Sequence, residues 1–316
     1  MSKASDSNTP GVSSAFTPQG STHMAQVEAD RIIVRGQDLC RDVLGQQSFT
    51  AYFLFLLTGQ TPSANLVRAA DATMVAIAEH GLVPSVQAAR MTHAAAPDAL
   101  QGAVAAGHLG CGPVILGASE TAGLLLARIV EACASRLPNP QARVADAQDL
   151  LSAIAAEQLQ ALKAARAPLP GFGHPVHKQG DPRADKLLAL ADEWGLAGAH
   201  VAALRALASQ VLPVYGKPFP MNVSAAIPAV LLDAGYPIGA LKGIPLLART
   251  ASLVAHLLEE QARPIGFKLA AAADRAVAWL QEQGIHEGDR VGLMAYNHPA
   301  TPVLLLACAR VGAILV

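Results

Sequence analysis

Stretches of apolar residues with helical spacing follow one another along most of this chain, and prolines or glycines separate them. Apolar residues make up 52% of the sequence but aromatic residues only 4%, so the apolar content is largely Ala, Leu and Val. These side chains favour helices that pack closely together. We therefore predict an all-α body. Its predicted helices are 49–57, 65–79, 143–166, 181–191, 199–212, 224–233 and 241–260, and Pro97-Asp98 opens a further one.

The character of the sequence changes near Ala271. From there we predict a helix at 274–283, a strand at 291–296, a helix at 301–310 and the beginning of a strand at 313–316. A helical body followed by an alternating α/β end indicates two unrelated units in one chain.

Charge and composition argue against several classes of partner. With 23 basic and 24 acidic residues the net charge is −1, which gives no general attraction to nucleic acid or to an anionic membrane. Apolar runs such as 52–57 are far shorter than the ~20 residues that span a bilayer. Residues 1–22 have the composition of a disordered tail rather than of a signal peptide. We expect a soluble, cytoplasmic protein.

Two groups of small residues have structural interpretations. Four cysteines without a C-x-x-C pair predict reduced, buried thiols rather than a disulfide scaffold: Cys40, Cys111, Cys133 and Cys308. A glycine-rich stretch suits tight helix packing or the wall of a ligand site, because glycine permits close backbone approach. Its members are Gly102, Gly107, Gly110, Gly112 and Gly117.

The string GFGHPVHKQGDPR, residues 171–183, carries the strongest chemical signal. It places His174 between glycines and the cations Lys178 and Arg183. Glycines let backbone N–H groups approach a ligand, histidine can exchange a proton near neutral pH, and arginine can bind a carboxylate with two hydrogen bonds. On chemistry alone, a helix connection with a structural histidine explains the string equally well.

Other polar residues are candidates with plain alternatives. Arg249 and Arg263 could bind an anion or form ordinary surface salt bridges, and His80 could simply close a helix. Lys217 lies in a proline-rich loop and could meet a phosphate, whereas Ser224 is a plausible N-cap for the next helix. The sequence has no metal-ligand spacing, no P-loop and no G-x-S-x-G elbow, so no metal is expected.

Four strings resemble the citrate synthase superfamily, over roughly residues 32–267. GFGHPVHKQGDPR is similar to the family's GxGHxVxxxxDPR signature, including the gap between His174 and Arg183. PMNVSAAIPAVLL resembles the PNVDAxxGxLL segment, LLARTASLVAH the second arginine-bearing helix, and EQARPIGF the closing stretch.

The resemblance implies an all-α homodimer, or a higher homo-oligomer, that closes over oxaloacetate and a coenzyme A thioester. The large helical domain would comprise 23–115 and 231–270, and the small domain, which carries the catalytic loop, would comprise 116–230. Such a protein makes or breaks the carbon–carbon bond between acetyl-CoA and oxaloacetate, in tricarboxylic acid metabolism.

The resemblance also implies roles for individual residues. His174 would hydrogen-bond the oxaloacetate carbonyl or the citryl hydroxyl. The carboxylates would be bound by His80, Arg183, Arg249 and Arg263, the last reaching across a dimer. Coenzyme A would be held by Lys178 and Lys217 at its phosphates and by the backbone of Gly171, Phe172 and Gly173 around its adenine.

Two catalytic positions depart from the family pattern. Where family synthases have the histidine of GPLHGG, this chain has Ile115, and Ser224 replaces the aspartate that removes the acetyl proton. A positioned base or acid contributes ~100 to 10,000-fold in rate, so full citrate synthesis should be crippled. Another alignment would let His108 supply an imidazole, at the expense of the match at Gly112-Pro113.

The length and the strings VRGQDLCRDVLGQQSF and LLTGQTPS look closer to citryl-CoA lyases, although those enzymes usually keep the aspartate. The sequence therefore predicts an activity of the citryl-CoA lyase or citrate synthase type. Two alternatives stay open: a degenerate member that binds coenzyme A or a dicarboxylate without turnover, and an enzyme acting on another 2-oxoacid.

Residues from about 272 to 316 resemble the N-terminal part of an acyl-CoA synthetase of the adenylate-forming family, with the GDRV turn at 288–291. The TSGTTG-like loop that binds the nucleotide in that family is absent, so this fragment could not adenylate a substrate alone. We interpret residues 271–316 as a fusion remnant or a truncated second enzyme.

Overall fold

The computed structural model describes residues 22–112, 117–139, 141–173, 180–292 and 300–315. The chain divides into two compact units, Met1–Thr61 and Pro62–Val316. The predicted tail lies outside the described residues, apart from Thr22. The predicted bounds of the large and small helical domains stay a prediction.

The first unit is a small antiparallel sheet followed by a helix. Arg35 and Gly36 form the turn after the second strand, with positive φ angles of 50° and 83°. The Arg35 guanidinium donates two hydrogen bonds to the carbonyl of Leu56, at 3.2 and 2.7 Å, which fixes the turn to the helix. The elements are β1 (Ala25–Val27), β2 (Ile32–Val34), β3 (Gln37–Asp38), a π-helical turn (Leu39–Val43) and α1 (Phe49–Thr58).

Helices dominate the second unit, so the predicted all-α body is confirmed. Two helices, α3 and α5, were not predicted, and neither begins with a side-chain cap. The helices before the C-terminal change of character are α2 (Ala64–Ala78), α3 (Pro84–Ala95), α4 (Leu100–Leu109), α5 (Ala118–Arg136), α6 (Gln148–Ala164), α7 (Pro182–Glu193), α8 (Ala199–Tyr215), α9 (Val223–Asp233) and α10 (Gly243–Ala262).

Two predicted helix boundaries were wrong. The segment 143–166 contains a separate 3₁₀ turn at Val144–Asp146 before α6 begins. Helix α8 continues beyond 212 and includes Pro213, because proline removes only one backbone hydrogen bond in the last turn. Gly216, in the left-handed conformation, then ends α8.

Helix α10 packs against α2, α3 and α4 around a small apolar cluster. Gly107 of α4 allows this packing, because a Cβ there would lie 2.7 Å from the Leu253 side chain and 3.0 Å from the Ser85 carbonyl oxygen. The prediction that the glycine stretch serves close packing is therefore confirmed at Gly107. The buried cluster comprises Val86, Ala89, Ala103, Leu253 and Leu257.

The helices from α5 to α9 pack on one another around larger apolar side chains. Helix α6 packs on α8, α5 on α9 and α8, and α7 on α9. Fully buried residues in this group include Leu125, Ile129, Leu151, Leu159, Leu204, Leu207 and Leu231.

The predicted α/β end forms around a helix that begins earlier than expected. Helix α11 (Gly266–Glu282) begins eight residues before the predicted 274 and crosses the change of character near Ala271 without interruption. It packs against α3 and against α12 (Ala300–Val311). Strand β4 (Arg290–Val291) pairs in parallel with β5 (Ile314–Leu315), as a βαβ unit requires. The predicted strand 291–296 lies mostly outside the described residues.

Two further predictions concern exposure. Cys133 and Cys308 are buried free thiols as predicted, but Cys40 is exposed because it lies in the surface π-helical turn. The stretch Ile238–Ala262 is long and apolar enough to cross a membrane. The same length and hydropathy occur in core helices, and α10 buries the charged residues Arg249 and Glu260 inside the protein, as a core helix can.

Candidate functional site: a loop held against a helix, and a buried arginine

The loop 171–173 is fastened to the beginning of α9. Gly173 N–H donates to the Pro220 carbonyl at 2.7 Å, and Asn222 N–H donates to the Gly171 carbonyl at 2.9 Å. The Asn222 amide also donates to the Gly173 carbonyl at 2.7 Å. The backbone groups predicted to wrap adenine are therefore partly used to hold the loop in place.

Gly171 makes this close approach possible. Its φ is +80°, a region that disfavours other residues, and a Cβ there would lie 2.5 Å from the Ala225 Cβ and 2.9 Å from its Cα. The glycine signal in the sequence therefore has a packing reason here. Phe172 is half-buried and bridges to Met221.

Asp181 fastens the other end of the same loop to α9. Its carboxylate caps α7 by accepting from Arg183 N–H at 3.1 Å, and it accepts from Val223 N–H at 3.0 Å. Burial alone would raise the pKa of Asp181 from 3.8, but the hydrogen bonds from the Arg183 side chain and from both amides lower this pKa to about 2. Both flanks of 174–179 are thus fixed at the beginning of α9, whereas His174 and Lys178 themselves lie outside the described residues.

Arg183 is paired within the chain. Its Nε and Nη2 donate to the two Asp181 carboxylate oxygens at 2.9 and 2.8 Å, a two-point ion pair with the Arg183 side chain 24% exposed. A substrate carboxylate would have to share this guanidinium with Asp181, so the predicted role of Arg183 stays a prediction.

Ser224 occupies the second position of α9, half-buried, and is not the helix cap. The prediction of an N-cap at Ser224 was wrong, because Asn222 takes that role by accepting from Ser224 N–H at 2.9 Å. Ser224 therefore lies beside the clasped loop, at the position where the family resemblance expects an aspartate. Ile115, the other departure, lies outside the described residues.

Arg249 is the most unusual charged residue in the described chain. Arg249 lies in the middle of α10 and is only 4% exposed. The alternative interpretation of Arg249 as part of a surface salt bridge was therefore wrong. Its Nε and Nη1 atoms are buried without a hydrogen-bond partner among the described residues. Burial lowers the pKa of Arg249, yet a guanidinium stays protonated in proteins. An unpaired buried cation of this kind is complementary to a carboxylate.

Glu79 is close enough to Arg249 to influence its pKa, but the Glu79 carboxylate forms its hydrogen bonds with other residues. Its Oε2 accepts from Ser252 at 2.8 Å and contacts His256 Nε2 at 2.9 Å, and its Oε1 accepts from Gly81 N–H at 2.5 Å. The next residue, His80, lies just beyond the end of α2 and is half-buried. The predicted contact of His80 with a carboxylate stays a prediction.

His108 and Cys111 stand at the end of α4, beside Arg249. His108 Nε2 contacts the hydroxyl of Thr250 at 2.8 Å, and Thr250 follows Arg249 on α10. Burial lowers the pKa of His108 and raises that of Cys111, and the positive charge of Arg249 lowers both. The alternative alignment brought His108 into consideration, but Cys111 was not predicted in the site.

Arg263 is exposed just after α10, and its backbone is held by a buried network that sequence reasoning missed. Arg90 is 3% exposed and donates to Glu260 at 2.6 Å, to Glu259 at 2.9 Å and to the Arg263 carbonyl at 2.9 Å. Glu260 in turn accepts from the backbone N–H of Gly266 at 2.6 Å, which explains the early start of α11. The predicted reach of Arg263 across a dimer stays a prediction.

Lys217 follows the Gly216 cap of α8 and is exposed. Its ammonium group lies 5.1 Å from the centre of the Phe219 ring, a cation–π contact that leaves it accessible to a phosphate. The predicted contact with coenzyme A therefore stays open.

Comparison with protein families gives this helical fold its class. The family model "Citrate synthase, C-terminal domain" matches residues 21–266, most of the chain. The chain belongs to the citrate synthase family. The model of the AMP-binding enzymes matches only residues 266–316, at the C-terminus of this chain and starting earlier than the predicted 272. The finer resemblance to the beginning of an acyl-CoA synthetase stays a prediction.

Solved structures with the same fold include a citryl-CoA lyase, an ATP citrate lyase and a citrate synthase. Citryl-CoA lyase from Hydrogenobacter thermophilus is 28% identical, with a TM-score of 0.65, over 77% of this chain and 87% of that one. ATP citrate lyase from Methanothrix soehngenii, in complex with citrate and coenzyme A, is 16% identical with a TM-score of 0.61, over 83% of this chain and 44% of that one. Citrate synthase from Thermoplasma acidophilum is 19% identical with a TM-score of 0.53, over 69% of this chain and 54% of that one.

The three structural matches differ in how much similarity they establish. The two relatives under 25% identity share the fold, whereas the citryl-CoA lyase covers most of both chains. A search of curated proteins found no match to this sequence.

Proposed function

We propose that this chain makes or breaks the carbon–carbon bond between acetyl-CoA and oxaloacetate, with citryl-CoA as the substrate of cleavage. The observation that carries the proposal is the buried guanidinium of Arg249, which lacks an anionic partner in the part of the chain that the structure describes. Citryl and oxaloacetate groups bring carboxylates, and one of them would satisfy the Nε and Nη1 donors of Arg249.

Similarity of the chain to a citryl-CoA lyase over most of both sequences supports the choice of cleavage. In the carbon–carbon cleavage of citryl-CoA the tertiary hydroxyl loses its proton to a base and becomes the oxaloacetate carbonyl. The bond breaks toward the thioester, and the resulting enolate takes up one proton at carbon to give acetyl-CoA. His174 is our candidate for the contact with that hydroxyl, since the described residues on either side of 174–179, Gly173 and Asp181, are hydrogen-bonded to the beginning of α9. Holding a reacting group in position is a large part of enzymatic rate enhancement, and these anchored neighbours would serve that purpose for His174.

Coenzyme A enters this proposal as the thioester carrier. The turn 171–173 would contact the adenine with the backbone groups that the clasp leaves unused, and Lys178 and Lys217 would pair with phosphates. Arg263 would act across the interface of a homodimer or larger homo-oligomer. We place the protein in the cytoplasm, without a nucleic acid or membrane partner and without a metal.

A second function is favoured by Ser224. A serine hydroxyl cannot act as a carboxylate base at neutral pH without an activating group. A member of the family that binds coenzyme A and citrate without turnover is the alternative, and action on a different 2-oxoacid is a third.

A coupled assay and calorimetry test the proposal together. We expect purified protein to release oxaloacetate from citryl-CoA, and we expect citrate to bind about tenfold or more weakly to Arg249→Met than to the wild type. The matched control is Arg275→Met, which removes an exposed arginine of α11 and should leave both results unchanged.

Three outcomes separate the candidate functions. Citrate and coenzyme A binding without turnover would select the binding protein, and Ser224→Asp should then raise activity. Turnover of another 2-oxoacid alone would select the third candidate. Absence of both turnover and Arg249-dependent binding would contradict the proposal.

A further inference from the structure

Three residues of α10 share one face of the helix, and two of them hold the residue that follows α2. Ser252 and His256 lie three and seven residues after Arg249, a spacing that places side chains on the same side of a helix. The Ser252 hydroxyl donates to Oε2 of Glu79 at 2.8 Å, and Nε2 of His256 lies 2.9 Å from the same oxygen. The Glu79 carboxylate therefore lies on the face of α10 that carries Arg249.

The same carboxylate closes the turn that carries His80. Glu79 follows α2 with extended backbone, and its Oε1 accepts from Gly81 N–H at 2.5 Å. Gly81 has a φ of +72°, which favours glycine, and its carbonyl accepts from Val83 N–H at 2.8 Å. His80 lies between the two residues that the first of these bonds joins. One oxygen of Glu79 thus fixes the shape of the turn, and the other fixes the turn to α10.

The charge of Glu79 is unfavourable for an anion that binds at Arg249. Burial would raise the pKa of Glu79, but the hydrogen bonds from Ser252 and Gly81, together with His256, lower it, so the carboxylate is ionised at neutral pH. A carboxylate on this face of α10 repels the carboxylate of an incoming ligand. If Glu79 had no other role, its removal would strengthen anion binding. If it holds an anion-binding residue in place, its removal weakens anion binding.

We propose that Glu79 is a positioning residue, which holds the turn 79–81 on α10 so that His80 and Arg249 bind carboxylate groups of the same substrate. Ser252 and His256 contribute by holding the Glu79 carboxylate. The inference rests on the proposed function, because it takes Arg249 as the anion-binding residue and adds how His80 is brought to the same face of α10.

Calorimetry with citrate tests the inference through two substitutions. Ser252→Ala removes the hydroxyl that holds Glu79 without changing any charge, and Glu79→Ala removes the closure of the turn together with the charge. We expect each to weaken citrate binding about threefold to tenfold, the contribution of one hydrogen bond between His80 and the ligand. The matched control is Glu131→Ala, which removes an exposed glutamate of α5 and should leave the affinity unchanged.

Combined substitutions separate positioning from a structural role. We expect His80→Ala to weaken citrate binding, and Glu79→Ala to have no further effect on the affinity once His80 is absent. Ser252→Ala should likewise have no further effect in a protein that already carries Glu79→Ala. A structural role alone would lower the melting temperature of Glu79→Ala without this dependence of the affinity on His80.

Two sets of results would overturn the inference. Tighter citrate binding by Glu79→Ala with no change in Ser252→Ala would mean that Glu79 acts merely as a nearby negative charge. Wild-type affinity in His80→Ala, or equal losses for Glu79→Ala with and without His80, would mean that Glu79 does not act through His80.

The Arg249→Met variant shows whether the proposed function fails as well. In each of these cases, weaker citrate binding by Arg249→Met leaves the proposed function standing, whereas citrate binding that does not depend on Arg249 contradicts both. Thermal unfolding shows that each variant is folded. If Glu79→Ala is unstable, the pair Ser252→Ala and His80→Ala carries the same test, because Ser252 acts on the same carboxylate.

Discussion

The carboxylate of Asp181 should contribute measurably to the stability of the whole domain. It joins the beginning of α7 to the beginning of α9 through Arg183 and Val223, and its pKa is lowered from 3.8 to about 2. The difference between these values corresponds to about 2 kcal/mol of stabilisation by the ionised group at neutral pH. We expect Asp181→Asn to lose at least about this amount.

The pH dependence follows from the direction of the shift. Because the folded pKa is lower than the unfolded one, the contribution of Asp181 is fully present above about pH 4 and is lost as the pH falls through about 2. The difference in unfolding free energy between wild type and Asp181→Asn should therefore narrow across this window. Urea unfolding followed by circular dichroism at a series of pH values measures it.

The matched control removes the same charge from the same helix. Asp185 is exposed in the first turn of α7, so Asp185→Asn should cost less than about 1 kcal/mol, mainly through the helix dipole. Equal stabilities of the two variants at neutral pH, or a difference between wild type and Asp181→Asn that stays constant on acidification, would refute the reasoning.

Three further predictions use stability as the measurement. Gly171→Ala should lower the unfolding free energy by more than about 2 kcal/mol, through strain and overlap with the Ala225 backbone. Gly173→Ala also has a positive φ, but no described residue lies within 4 Å of its Cβ position, so it should cost only about 1 kcal/mol. Equal losses in the two variants would contradict the close approach of Gly171 to α9. Glu260→Gln should cost about 3 kcal/mol, because it removes the buried one of the two carboxylates that pair with the buried Arg90. The exposed Glu259→Gln should cost less than about 1 kcal/mol, and chemical denaturation measures both losses. Without ligand, Arg249→Met should raise the unfolding free energy by about 1 kcal/mol or more, because it removes a buried charge that lacks a hydrogen-bond partner among the described residues. Citrate should raise the melting temperature of the wild type but not that of the variant. A variant less stable than the wild type would mean that Arg249 has a partner.

The sequence was sufficient for the elements with strong local signals. Helices such as α2 and α7 follow from apolar spacing and from their Ser63 and Asp181 caps, and the α/β end follows from its change of pattern. Helix α3 was missed because Pro84 gives it a start that also resembles a loop.

The candidate site was harder to predict because its features depend on distant partners. Arg90 and Glu260 are 170 residues apart, and neither belongs to a local motif. Arg183 was predicted from its string, but the sequence does not reveal that Asp181 occupies its guanidinium. The contact of His108 with the Thr250 hydroxyl joins two helices 142 residues apart in sequence, and no local motif predicts it.

The two family matches meet within α11, so the length of this helix determines the directions in which its two halves face. The matches meet at residue 266, the first residue of α11, so one rod carries contacts with α3 and with α12. Each residue turns a helix by about 100°. Removing a single residue midway along α11 would rotate the face that packs on α12 by about a quarter-turn relative to the face that packs on α3. Insertions or deletions in α11 should therefore be tolerated best when they add or remove close to a whole helical turn.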